Sequence, residues 1–129
     1  MRFLFFLSFL VISLSASHIR WFGDFELAHK EAIKEHKHLM VLLFEKNNST
    51  CQDLIKTTFT NRLYIDEINE NYISVVVMKG QKESYPIEML YTLAYPALFF
   101  LDNEELFVCA PLIGDITPER LKNHLEQCK

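Results

Sequence analysis

A chain of 129 residues that is 50% hydrophobic and 23% charged fits one globular domain and excludes a disordered polypeptide. Its formal net charge of -4 lacks the basic footprint that nucleic-acid binding needs, so no such partner is expected. The cysteines number 3, so at least one thiol is free or bonded to another molecule.

Met1-Arg2 opens the chain. An apolar run from Phe3 to Leu14 follows, broken only by Ser8 and Ser13, and then Ser15-Ala16-Ser17. A short positive start, an apolar stretch and small residues read as a secretory signal peptide over 1–17, cleaved after Ala16 or Ser17. The run is short of the roughly 17–25 residues that a membrane span needs. The expected product is a periplasmic or secreted domain, 18–129, with no stable membrane span after cleavage. Export implies an oxidising setting in which thiols tend to pair.

Within that domain Trp21-Phe22-Gly23 is an aromatic lead-in. Asp24 is a candidate N-cap for a helix to about His36. Phe25, Ala28, Ala32 and Ile33 recur at helical spacing, and Lys30, Glu31, Lys34 and Glu35 fill the other face. His29, His36 and His38 read as solvated positions rather than metal ligands. Leu39 to Phe44 is a continuous apolar run, the mark of a strand buried on both faces.

Polar residues follow, and a second helix begins at about Ser49, with Asn48, Ser49 and Thr50 all suited to capping it and Ser49 with Gln52 matching a capping box. Cys51 therefore falls in the first turn after a strand-to-helix junction. Leu54, Ile55, Thr58, Phe59 and Arg62 continue the faces of this helix, and Asn61 interrupts it. Leu63 to Asn69 is a further helical segment, and Tyr72 to Met78 a valine-rich buried strand. Lys79 to Ser84 is a polar loop, and Pro86 to Leu93 a short helix. Tyr95-Pro96 breaks the chain. Ala97 to Leu101 is a third strand, Asp102 to Glu105 a hairpin turn, and Leu106 to Ala110 a fourth strand. Thr117 caps the last helix with Pro118 at its first position, and Ile116, Leu121 and Leu125 form its inner stripe. Helical crossovers imply parallel pairing and the short turn an antiparallel edge. The fold class is therefore α/β, a central mixed sheet with helices on both faces.

Three segments, in this order and spacing, give the chain a resemblance to the thioredoxin superfamily, and especially to its small exported members. They are the helix-to-strand lead-in through Leu39-Met40-Val41-Leu42-Leu43-Phe44, the segment Tyr95-Pro96-Ala97-Leu98-Phe99-Phe100-Leu101-Asp102, and Leu112-Ile113-Gly114 before Thr117-Pro118-Glu119. The resemblance covers roughly Phe22 to Glu126. It implies a thioredoxin-like fold, a cis peptide bond at Pro96, and a groove in which Asn48, Cys51, Tyr95 and Pro96 meet an exported protein or peptide. It implies no cofactor and no metal.

The departure from the family is at its Cys-x-x-Cys motif, where this chain has a single cysteine. In the exported members the second cysteine is followed by an apolar residue at +3, a Phe at +8 and an Asn-aromatic pair at +20 and +21. From Cys51 these offsets give Leu54, Phe59, Asn71 and Tyr72, whereas taking Cys51 as the first cysteine gives Thr57, Arg62, Ser74 and Val75. Cys51 is thus placed second, and the motif reads Asn48-Ser49-Thr50-Cys51. An asparagine amide cannot attack sulfur, so dithiol chemistry is lost while the helix cap is kept.

Two functions remain open. One is a redox-inactive thioredoxin-fold binding module, with Cys51 a small buried hydrophobe. The other is a single-thiol disulfide oxidoreductase or isomerase with Cys51 as its catalytic nucleophile. Cys109, late in the fourth strand, and Cys128, at the far end of the returning helix, read as poorly placed for a bridge.

Overall fold

A computed structural model describes residues 18–80, 90 and 92–128. The segment 1–17 and all but the end of the helix expected over Pro86–Leu93 lie outside the described residues. The elements are β1 (Trp21–Phe22), α1 (Phe25–Glu35), β2 (His38–Phe44), α2 (Ser49–Lys56), a 3-10 turn (Thr58–Thr60), α3 (Arg62–Asn71), β3 (Tyr72–Met78), β4 (Ala97–Leu101), β5 (Leu112–Ile113) and α4 (Pro118–Gln127). The sheet order is β1-β3-β2-β4-β5. β1 and β2 flank β3 in parallel; β4 runs antiparallel to β2, and β5 antiparallel to β4. Among the described residues no helix is long and apolar enough to cross a membrane.

The central strands are apolar throughout because both of their faces are covered. Met40, Leu42, Leu98 and Phe100 point to one side, where Leu54, Ile65, Ile68, Leu121 and Leu125 from α2, α3 and α4 close over them. Leu39, Val41, Leu43, Phe99 and Leu101 point to the other side and meet Phe25, Ala28 and Ala32 of α1. Ala28 and Ala32 are fully buried, and their small side chains let α1 lie close on the sheet. Fully burying a side chain such as Phe25 contributes about 1.5–3 kcal/mol.

The helix ends follow local chemistry. Asp24 accepts hydrogen bonds from Glu26 N at 2.8 Å and Leu27 N at 3.3 Å, and His36 ends α1 in the left-handed region with φ 57°. Asn61 separates the 3-10 turn from α3, capping the latter by accepting from Leu63 N at 3.0 Å. Thr117 caps α4, with Pro118 in its first turn. At α2 the cap is Asn48 rather than the Ser49–Gln52 box.

Two expectations are corrected. Leu106 to Ala110 is not a strand: it makes one bridge, Phe107 to Leu101, through bonds from Val108 N to Phe100 O at 3.0 Å and from Asp102 N to Leu106 O at 2.8 Å, and then leaves the sheet. Pro111 has no N–H to continue a ladder. The antiparallel edge is instead Leu112–Ile113, beside Leu98 and Ala97. The bend at Cys109 overturns the second expectation, because it swings the residue out to the last turn of α4. Cys109 and Cys128 form a disulfide with Cα atoms 5.5 Å apart.

Candidate functional site

The carboxyl ends of β2 and β3 lie side by side, with Phe44 paired to Met78. Ligand sites in open α/β sheets form outside such strand ends. Lys79 N donates to Phe44 O at 2.8 Å and holds the two exits together. From here the chain runs through Glu45 to Asn47, which has a positive φ of 69°, and into α2.

Asn48 is the centre of this corner. Its Oδ1 accepts from Cys51 N at 3.1 Å. Its Nδ2 donates to Glu45 Oε1 at 2.9 Å and, more weakly, to Tyr95 O at 3.5 Å. The other Glu45 oxygen receives Lys79 Nζ at 2.9 Å, and that ammonium stands 5.4 Å above the Tyr95 ring. One side chain therefore ties α2, the end of β2 and the Tyr95–Pro96 segment together. The Tyr95–Pro96 peptide bond is cis. Tyr95 is half-buried and Pro96 is buried.

Cys51 carries the free thiol among the described residues, and it is fully buried. Its sulfur accepts from Glu45 N at 3.5 Å. Burial pushes the thiol above its ordinary value of 9.0; the Glu45 carboxylate adds to the rise and the Glu45 N–H opposes it. The Asn48 amide, and after it the Lys79 ammonium, hold Glu45 below its ordinary 4.5. Glu45 in turn raises Lys79 above 10.5.

The structure thus brings Asn48 and Tyr95 into contact, sets Pro96 beneath the surface and puts Cys51 under the helix. Glu45 and Lys79 were not singled out from the sequence. Their one sequence signal is position, each being the first polar residue after a buried strand. At the other end of the sheet, near Phe100, a second cluster was also missed. Cys109, His124 and Cys128 place their ligand atoms within 4.8 Å of one another. The spacing of His124 and Cys128, four apart on one helix face, was its signal.

No family model and no curated protein matches the chain. Solved structures do. A protein of Bacteroides thetaiotaomicron described as a candidate disulphide isomerase is similar with a TM-score of 0.68 and 27% identity, over 85% of this chain and 93% of that one. A thioredoxin of Thermus thermophilus is similar with a TM-score of 0.70 at 15% identity, over 85% and 86%. The C-terminal domain of Neisseria meningitidis DsbD, in its oxidised form, is similar with a TM-score of 0.65 at 18% identity, over 85% and 100%. The mixed sheet flanked by helices, the Tyr95–Pro96 turn and these likenesses define a thioredoxin-like protein. The chain is thus similar in fold to members of the thioredoxin superfamily.

Proposed function

We propose that this chain is an exported thioredoxin-fold module that binds a protein or peptide beside Tyr95 and carries out no dithiol chemistry. The observation that carries the reading is the pairing of Asn48 with Cys51. Asn48 stands three residues before the cysteine, where the motif has its attacking thiol in the register read from the sequence. Its amide is engaged on both sides. Cys51 is fully buried, and its thiol is shifted away from the reactive thiolate.

A surface for a partner lies next to this corner. Tyr95 is half-exposed, and Leu93 and Ile113 are exposed at 89% and 40%. Ile113 pairs with Ala97, immediately after Pro96. Exposed apolar side chains beside an aromatic ring suit an extended segment of an unfolded exported polypeptide.

Two measurements test the reading. In reduction of insulin by dithiothreitol, the protein is expected to add no rate over the uncatalysed reaction. Acceleration comparable to that of a two-cysteine thioredoxin overturns it and favours the single-thiol enzyme. In anisotropy titrations with a fluorescein-labelled, reduced and carboxymethylated polypeptide, Tyr95→Ala is expected to weaken binding about tenfold, roughly 1.4 kcal/mol. Cys51→Ser is expected to bind as the native chain does. Equal binding by native chain and Tyr95→Ala places the partner elsewhere.

A further inference from the structure

We infer that the Cys109–Cys128 disulfide closes a latent zinc site, whose ligands on reduction are the two cysteine sulfurs and His124. The site is distinct from the Asn48–Cys51 corner, and its fate is independent of the binding role proposed there.

The geometry is close to complete before any metal arrives. Cys109 Sγ lies 3.5 Å from His124 Nε2, and all three ligand atoms fall within 4.8 Å of one another. A tetrahedral site with Zn–S of about 2.3 Å and Zn–N of about 2.1 Å needs S···N of about 3.6 Å and S···S of about 3.8 Å. The sulfur–nitrogen separation is already met. The two sulfurs, joined in the bridge, need only part to the distance of unbonded thiols.

The elements fix these residues firmly. His124 and Cys128 are four apart near the end of α4, so their side chains lie on one face of the helix. The His124 ring packs on Phe100 with centroids 5.2 Å apart, which holds the imidazole against the core. Cys109 is delivered by the bend after the Leu101–Phe107 bridge. Cys128 is buried and belongs to the same core cluster as Phe100 and Leu125. In the oxidised chain His124 Nε2 donates to Ala110 O. Binding zinc through Nε2 needs that nitrogen's lone pair, so the ring proton moves to Nδ1 and the Ala110 bond is given up. The fourth position is left for water.

The chemistry balances with a dithiol as reductant. Its thiolate attacks one sulfur of the bridge, and the other sulfur leaves as a thiolate. The second thiol of the reductant then resolves the mixed disulfide. The reductant ends as a disulfide, and Cys109 and Cys128 end as two thiols, having gained two electrons and two protons. Zinc then forms two Zn–S bonds and one Zn–N bond, and the two thiol protons pass to solvent. A disulfide oxidant reverses the sequence: it accepts the two electrons and leaves as a dithiol, the Cys109–Cys128 bond re-forms, and the ion is released.

The test compares the oxidised full chain with the chain reduced by excess dithiothreitol and freed of it under argon. Each is titrated with Zn2+ against a chromophoric chelator, and with Co2+ for its visible spectrum. The reduced chain is expected to take up one zinc and to give the intense spectrum of tetrahedral cobalt with thiolate ligands; the oxidised chain is expected to do neither. Loss of an outer partner of a metal ligand costs about 10–100-fold in affinity, so losing the ligand itself in His124→Ala should cost at least about 100-fold. Binding undiminished in His124→Ala overturns the inference, because the ion is then held elsewhere. So does the absence of uptake by a reduced chain whose far-UV circular dichroism is unchanged. A reduced chain that loses its structure and does not regain it with Zn2+ overturns it equally, since site formation and folding are coupled in such centres.

Discussion

Asn48 Oδ1 lies 3.1 Å from the backbone nitrogen of Cys51, so Asn48 is the residue that caps the start of α2. Removing a side-chain cap costs about 0.5–2 kcal/mol. Asn48→Ala also loses the amide bridge to Glu45 and Tyr95. Its urea midpoint is expected to fall by the equivalent of about 1–2 kcal/mol, while Asn48→Cys gains activity in insulin reduction. An Asn48→Ala chain as stable as the native one would show that the cap contributes nothing.

Stability should vary with pH through Glu45 and Lys79. Glu45 is held below 4.5, so its contribution is present above the unfolded value and is lost as pH falls through the lower folded one. Lys79 is raised above 10.5, so its contribution is present below that value and is lost as pH rises past it. For this pair a plateau is expected between these limits. Glu45→Gln removes the carboxylate, so its thermal midpoint should lie below the native one on the plateau and converge with it in acid. A constant difference at every pH would separate Glu45 from this behaviour.

Cys51 should react with iodoacetamide slowly at pH 7 in the native protein and quickly in urea. The thiol is raised above 9.0 chiefly by burial, so it stays neutral across the physiological range. Its contribution to stability is complete below the unfolded value and is lost as pH rises through the folded one. Fast native alkylation, followed by mass spectrometry of the modified peptide, would reverse the proposed function. Cys51→Ser places a hydroxyl in an apolar site and is expected to cost about 1–3 kcal/mol, less any bond it gains from Glu45 N.

The Cys109–Cys128 bridge closes a sequence separation of 19. A loop of that size corresponds to about 3 kcal/mol of restricted unfolded-chain entropy. Cys109→Ser with Cys128→Ser should lower the urea midpoint by that amount in the presence of a chelator. The double variant should also be indifferent to dithiothreitol, which destabilises the native chain. Equal midpoints for the two chains without reductant would contradict the bridge.

What could be read from the sequence was what depends on nearby residues. The apolar runs of β2, β3 and β4, the caps Asp24 and Thr117, and the break at Asn61 all follow from local spacing. Cys51 lies on the buried side of α2, which agrees with the reading of it as a small buried hydrophobe. What was not legible depended on where the chain turns after it leaves an element. Leu106 to Ala110 has strand composition, yet one bridge and a proline decide its path. With that path misread, Cys109 was expected far from Cys128. Glu45 and Lys79 were ordinary loop residues until the register of Phe44 against Met78 set them side by side.

The position of the bridge also bears on how a chain with three thiols reaches one pairing. In the unfolded chain Cys109 and Cys128 are the closest pair in sequence. Pairing Cys51 with either would close a loop roughly three to four times longer, which is about five- to eightfold less frequent by loop-closure entropy alone. An oxidant acting on the unstructured polypeptide therefore meets the native pair most often. Folding then withdraws the leftover thiol beneath α2, out of reach of further exchange. Sequence distance biases the choice of partners, and the core makes that choice permanent.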